Sequence, residues 1–353
     1  MILTEPIGSI PRTMALRETI TAFSERRCSQ STMEQAYETA VTETITELET
    51  TGSPVITDGE QTKPSFVTYP LQGLRNLDEQ GVRISFADGH QRQLPRLVAG
   101  PFRYSTYADQ YLRVAQRYAR VPVKQAVISA SALSLLYPKE GLADYPQDTF
   151  LQDLIEEATT DIRRCLDAGA HVVQIDFTEG RLALKLDPSG NLLKHFIALN
   201  NHVLARFSHD ERARIGVHTC PGADHDSTHS AEVDYAALLP NLFDLEAGRF
   251  YLQLASERDR TRVLTLIRQH MQPHHMIFVG VIDPIDPQVE TPEVVRDRVL
   301  EAATYLPVRQ LGTTDDCGFS PFGDDRSTSR AIAFAKIGAR VTGTMMAAHQ
   351  LGV

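Results

Sequence analysis

The chain has 353 residues, of which 42% are apolar and 23% are charged. This is the composition of an ordinary soluble globular protein, and the length suits one large α/β barrel or two average domains. A net charge of -10, without a basic stripe, disfavours nucleic acid as a partner. The sequence has no apolar run of the roughly 20 residues that span a bilayer and no signal peptide pattern, so we expect a cytoplasmic protein without membrane contact.

Apolar strands, polar turns and amphipathic helices alternate along the chain. The predicted strands are residues 2–7, 55–57, 123–129, 171–176, 215–220, 250–254, 276–283 and 308–312. The predicted helices are residues 12–25, 33–49, 107–120, 150–168, 193–206, 235–245, 259–270, 292–303 (with Thr291 as N-cap) and 328–349. Eight such units predict an α/β fold, a single (β/α)8 barrel of the TIM type over residues 1–353. An open doubly wound sheet is the structural alternative.

One segment, residues 66–103, interrupts this alternation after the second strand. Within it, residues 81–86 and 93–98 flank the sequence Ala87-Asp88-Gly89-His90. An Asp-Gly turn between two apolar runs predicts a β-hairpin, which we interpret as an excursion from the barrel.

Polar side chains follow the ends of the predicted strands, where barrel enzymes place their active sites. His218 and Cys220 lie two positions apart on one strand, so both side chains point to the same side. Imidazole and thiolate ligands together suit zinc, and Cys317, after the last strand, is the candidate third ligand. Glu257 is a candidate fourth ligand, or a surface charge paired with Arg258. The other two cysteines are expected at the surface (Cys28) and in the helical core (Cys165).

Several short motifs, in this order and spacing, resemble the catalytic C-terminal barrel of the cobalamin-independent methionine synthases. The resemblance covers nearly the whole chain and is closest to the short, single-barrel homologues. The motifs are Ile7-Gly8-Ser9, Asp58-Gly59-Glu60, Gln174-Ile175-Asp176, His218-Thr219-Cys220, Gly280-Val281-Ile282-Asp283 and Asp316-Cys317-Gly318.

The resemblance implies a methyltransferase that activates the thiol of homocysteine on Zn²⁺ for attack on a methyl donor such as a methyl-folate. It implies that His218, Cys220 and Cys317 bind the zinc, with a glutamate as fourth ligand. It further implies that the backbone of Ile7, Gly8 and Ser9 holds the amino-acid carboxylate, and that Glu60 and Asp176 hold its ammonium group.

The sequence departs from the family pattern at three places. Glu257 comes about two residues later than the family's glutamate ligand. Ile285 replaces a histidine that shuttles a proton, which leaves Asp283, Asp286 or a histidine of residues 225–229 as candidates for that role. The chain has no Trp, whereas the family stacks its folate on one; the matching segment begins at Ser129, which we count among the substrate-binding residues.

The alternatives are a zinc thiol alkyltransferase with another acceptor or donor, similar to epoxyalkane–coenzyme M transferases or natural-product methyltransferases and demethylases, and a structural zinc barrel without activity. Glu60 and Asp176 favour an amino-acid thiol, because a sulfonate would need cations there. The methyl donor stays open, and so does the formation of a homo-oligomer.

Overall fold

The computed structural model describes residues 1–86, 88–220, 222, 224, 233–325 and 328–353. The strands are β1 Leu3–Thr4, β2 Leu77–Asp78, β3 Arg83–Ser85, β4 Gln91–Gln93, β5 Arg96–Leu97, β6 Gln125–Ile128, β7 Val173–Asp176, β8 Ile215–Thr219, β9 Arg249–Leu252, β10 Met276–Ile282 and β11 Leu311–Asp315. The α-helices are α1 Met14–Ser24, α2 Gln30–Thr50, α3 Asp109–Gln116, α4 Ala130–Ser134, α5 Gln147–Asp167, α6 Glu179–Leu186, α7 Asn191–Leu204, α8 His209–Arg212, α9 Tyr235–Leu242, α10 Arg260–His270, α11 Pro292–Tyr305 and α12 Arg330–Gln350.

Seven parallel strands form the central sheet, in the order β1-β11-β10-β9-β8-β7-β6. The predicted second strand is reduced to a single parallel bridge between Ile56 and Val123 of the next strand segment. On its other side, Thr57 Oγ1 donates a hydrogen bond to the carbonyl of Gly8 at 2.8 Å. This segment therefore joins β6 to β1 and closes the ring, and the predicted TIM-type α/β barrel is confirmed.

The second strand is short because the chain turns sharply after Thr57. Gly59 and Glu60 both have positive φ angles, +66° and +54°, which lie outside the extended conformation of a regular strand. For a residue other than glycine, this conformation costs about 1 kcal/mol or more. The turn directs the Glu60 side chain into the barrel, where it is buried.

The last strand begins three residues later than the sequence predicts. Residues Val308–Gln310 form a 3₁₀ turn after Pro307 instead of the start of β11. The buried Gln310 side chain holds that turn, since its amide donates to the carbonyl of His275 at 2.8 Å. Because β11 ends at Asp315, the pair Asp316-Cys317 follows it directly.

The helices match the prediction except for α4, α6 and α8, which are short and follow strands or loops that carry polar residues. Thr291 caps α11 as predicted, with its Oγ1 accepting a hydrogen bond from the N–H of Val294 and Pro292 in the first turn. Cys165 is buried in the core as predicted, and Cys28 is partly exposed. No helix among the described residues has the length and apolar character needed to cross a membrane.

The predicted hairpin is present, and β3 pairs antiparallel with β4, while β2 pairs with β5. β3 lies within the predicted first strand, whereas β4 begins two residues before the predicted second strand. Ala87, in the predicted turn, lies outside the described residues. Arg92 of the hairpin binds Asp224, which follows β8, at 3.1 Å, and Asp324, which follows β11, at 2.8 Å. The excursion is thereby attached to the two loops that follow the predicted cysteine ligands.

Candidate active site

The three predicted metal ligands meet at the carboxyl end of the barrel. His218 lies in β8, Cys220 follows it, and Cys317 follows β11. Their ligand atoms all lie within 4.8 Å of one another, and the two sulfur atoms are 3.1 Å apart. Both ring nitrogens of His218 are buried and have no hydrogen-bond partner in the part of the chain described. Two thiols and an unpartnered imidazole are a donor set that fits zinc.

The proximity of the two thiols changes their acidity. The hydrogen bond from Cys317 holds the pKa of Cys220 well below its ordinary value, with the imidazole of His218 acting in the same direction. A thiolate is the form of cysteine that binds a metal. The geometry thus favours the ligating state of Cys220.

The structure does not bring Glu257 into this group. Its carboxylate instead accepts hydrogen bonds from Arg181 and Gln253, both at 3.3 Å. The preceding turn is fixed by Asp316, whose carboxylate accepts the N–H and hydroxyl of Ser256 at 2.7 Å. Among the described residues, the ligand group therefore has three members, which leaves room for a further ligand from solvent or substrate.

Asp176 stands beside the metal ligands, because it pairs in register with His218 across β7 and β8. Its Oδ1 accepts a hydrogen bond from Gln174 Nε2 at 2.8 Å. Burial raises the pKa of Asp176 to about 6, and the nearby Glu60 carboxylate acts in the same direction. Two buried carboxylates near one another favour a cation between them.

Glu60 is already paired with a residue that the sequence analysis missed. Lys63 Nζ lies 3.0 Å from Glu60 Oε1, and both side chains are almost fully buried. The ammonium also donates to the carbonyl of Ala126 at 3.0 Å. Burial opposes the charge on Lys63, but Glu60 and Asp58 raise its pKa above the ordinary value. In the sequence, Lys63 follows Glu60 by three residues in a polar loop, which is the pattern of an exposed ion pair. The burial of Lys63 could therefore not be predicted from the sequence.

The segment Ile7-Gly8-Ser9 passes the same end of the barrel. Ile7 is held on both sides, since its N–H donates to Asp315 Oδ2 at 3.0 Å and its carbonyl accepts from Gln174 Nε2 at 3.1 Å. The N–H groups of Gly8 and Ser9 have no acceptor among the described residues. Adjacent free N–H groups are a common site for a carboxylate.

One cavity of about 500 Å³ connects these groups. Its lining includes the three metal ligands, Ile7, Gly8, Ser9, Glu60, Lys63, Asp176 and Glu179. Apolar side chains also line it, among them Ile84, Phe86 and Leu94 of the hairpin excursion together with Phe66, Leu135 and Phe322. The cavity is larger than a single amino acid requires, so there is space for a second reactant.

Three of the predicted residues lie away from this cavity lining. Asp283 Oδ1 accepts the N–H of Ile285 at 3.0 Å, and Asp286 Oδ1 accepts the N–H of Gln288 at 2.9 Å, so both carboxylates stabilise their own turn. Ser129 lies behind Glu179 and donates its hydroxyl to that carboxylate. The predicted alternative at 225–229 lies outside the described residues.

The family model described as cobalamin-independent synthase, catalytic domain, matches residues 1–333 of the chain. The chain belongs to this family. Among relatives, a methionine synthase of Saccharolobus solfataricus is 20% identical over 351 residues, which cover 99% of this chain and 96% of that protein. A 5-methyltetrahydropteroyltriglutamate–homocysteine methyltransferase of Vibrio parahaemolyticus is 22% identical over 320 residues, covering 90% of this chain and 40% of that protein.

Solved structures show the same fold as this family member. A B12-independent methionine synthase from Shewanella sp. W3-18-1, in complex with selenomethionine, superposes with a TM-score of 0.78 at 17% identity and covers 99% of both chains. The corresponding protein from Listeria monocytogenes gives a TM-score of 0.74 at 18% identity over 98% of this chain and 99% of its own. The predicted resemblance and the predicted class, a methyltransferase, are confirmed by the family membership.

Proposed function

We propose that this family member transfers a methyl group to the thiol of homocysteine, giving methionine, with zinc held by His218, Cys220 and Cys317. The observation that carries the proposal is that three soft ligands and the groups for an amino acid line one cavity. A divalent ion there would lower the pKa of the substrate thiol, ordinarily about 8.5, and so supply a nucleophile at neutral pH. Small-molecule substrates and a cytoplasmic location complete the proposal.

The amino-acid part of the substrate is matched by charge. The free N–H groups of Gly8 and Ser9 would hold its carboxylate, and Glu60 with Asp176 would hold its ammonium. Because Lys63 already supplies one positive charge, the two carboxylates, Lys63 and the substrate ammonium sum to zero. This balance supports an amino-acid thiol, since a buried set of charges is stable when it is paired.

The methyl donor would occupy the rest of the cavity, against the apolar side chains Ile84, Phe86 and Leu94 of the hairpin excursion. Holding the donor and the thiol in one closed space supplies part of the rate by proximity and orientation. The segment that matches the family's tryptophan contributes Ala132 to the cavity lining, so we expect the donor to be held by contact area and shape.

The test is a screen of thiols against methyl donors with zinc-loaded protein, followed by mass spectrometry of the products. We expect methionine from homocysteine, and no methylated product from a sulfonate thiol of similar length. Methylation of the sulfonate thiol in preference to homocysteine, or no product with any pair, would refute the proposal. Asp176→Asn is the matched variant, because it removes one ammonium-binding charge without touching the metal ligands.

A further inference from the structure

Glu179 is a buried acid that no part of the proposed thiol activation uses. It is the first residue of α6, lies three positions after Asp176 and lines the same cavity as the metal ligands. Its side chain is 4% exposed. A carboxyl group at this position must be either paired or protonated, because burial disfavours an isolated charge.

The hydrogen bonds of Glu179 fix which oxygen can carry a proton. Ser129 Oγ accepts the N–H of Ala132 at 3.1 Å, and Ser131 Oγ accepts Asn200 Nδ2 at 2.6 Å. Both serine hydroxyls therefore direct their own hydrogen atoms to Glu179 Oε1. An oxygen that accepts two such bonds is not the protonated one.

The second oxygen, Oε2, is buried and has no hydrogen-bond partner within the described residues. A carboxylate with one oxygen left in that state would lose hydration with only partial compensation from the two serines. A neutral carboxylic acid with its proton on Oε2 loses less, because burying an uncharged polar group costs less free energy than burying a charge. Burial raises the pKa of Glu179 to about 7, although the two serines act against the shift. The burial of Glu179 therefore does not require a partner cation, because its carboxyl group can stay protonated and uncharged.

We propose that Glu179 is the general acid that protonates the departing atom of the methyl donor. The inference rests on the proposed methyl transfer to a thiol. Glu179 faces the cavity in which that donor would lie, whereas Asp283 and Asp286 do not line it. Glu179 is thus the catalytic residue in the place that the sequence analysis assigned to those two acids.

The step balances for a donor that carries its methyl group on an amine nitrogen. The carbon–sulfur bond forms, the carbon–nitrogen bond breaks, and the nitrogen keeps the electron pair and takes the proton from Glu179 Oε2. The carboxylate that remains regains a proton from water, and the thiol has released one to water on binding. The net reaction moves one proton from the thiol to the amine and needs no further reactant.

The test compares wild type and Glu179→Gln, both zinc-loaded, with two donors. N5-methyltetrahydrofolate leaves as an amine that must be protonated, whereas S-methylmethionine is a sulfonium that leaves as a neutral thioether. General acid catalysis is worth typically 10²–10⁴-fold, so we expect a loss of about that size with the folate. With the sulfonium, we expect a loss below about threefold.

Each outcome decides between the two proposals. Equal losses with both donors would overturn the role of Glu179, because they would show a structural defect. Equal activity of the two proteins with the folate, or transfer from the sulfonium alone in wild type, would overturn it too, while the transfer of methyl groups to the thiol would stand. No transfer from either donor in zinc-loaded wild type would refute the proposed function and, with it, this inference.

A second measurement does not depend on activity. In infrared difference spectra between the metal-free wild type and Glu179→Gln at pH 6, we expect the carbonyl stretch of a protonated carboxylic acid in the wild type. A carboxylate band in its place would overturn the inference. Matching thermal unfolding of the two proteins serves as the control for folding.

Discussion

The ion pair between Lys63 and Glu60 gives the sharpest prediction about the structure of the site. The ammonium lies 3.0 Å from the carboxylate, and the exposed fractions of the two side chains are 1% and 4%. Lys63→Met keeps an unbranched side chain one atom shorter and removes the charge. Glu60 would then be left buried without its cation.

The size of the effect follows from this geometry. Two unit charges 3.0 Å apart attract by about 5.5 kcal/mol at an effective dielectric constant of about 20. Part of that attraction offsets the desolvation of the charges, and breaking a buried pair by removing one partner costs about 3–5 kcal/mol. We therefore expect Lys63→Met to lower the free energy of unfolding by about 3 kcal/mol or more.

The assay is urea unfolding of metal-free protein at pH 7, in a double-mutant cycle with Glu60→Gln. The double variant should recover about 2 kcal/mol relative to the sum of the single variants, because it removes both charges of the pair together. Arg27→Met is the matched control, since the Arg27–Glu25 pair is 61% and 52% exposed and should contribute under about 1 kcal/mol. A loss below about 1 kcal/mol for Lys63→Met, or no recovery in the double variant, would refute the pairing.

Three further predictions concern the metal, the substrate and pH. Cys220→Ala or Cys317→Ala should lose bound zinc and activity together, as measured by metal analysis and methionine formation; full activity in a metal-free variant would contradict this. Asp176→Asn should raise the KM for homocysteine by about tenfold or more with a smaller change in kcat, and an unchanged KM would argue against an ammonium site. Burial lowers the pKa of His275 to about 4 from an unfolded value of about 6.5, so the unfolded chain binds more protons and stability falls as the pH drops from 7 to 5. His275→Asn should remove up to about 2 kcal/mol of that fall in urea unfolding, and an equal fall in both proteins would refute the assignment.

The parts of the site that the sequence revealed are those with distinctive chemistry. His218, Cys220 and Cys317 could be recognised because thiols and imidazole at strand ends are rare and suit one metal. The barrel itself could be predicted because its buried parallel strands are apolar runs that recur between amphipathic helices. Residue type and periodicity were sufficient for both.

Other features depend on contacts that no local pattern encodes. Lys63 and Glu179 are ordinary charged residues in polar segments, and their burial comes from distant parts of the barrel that enclose them. Glu257 has the right residue type near the right strand, but Arg181 and Gln253 bind its carboxylate. The short length of the second strand could not be predicted, because the chain turns at Glu60 in the left-handed backbone conformation. That conformation is uncommon for glutamate.

The central claim is that His218, Cys220 and Cys317 hold a metal ion that a substrate thiol can reach. X-ray absorption spectroscopy of zinc-loaded protein measures this directly, by counting the sulfur atoms at about 2.3 Å from the metal. We predict two sulfur ligands in the substrate-free protein and three after addition of homocysteine. A sulfur count that stays the same on addition of homocysteine, or zinc bound by oxygen and nitrogen alone, would contradict the account.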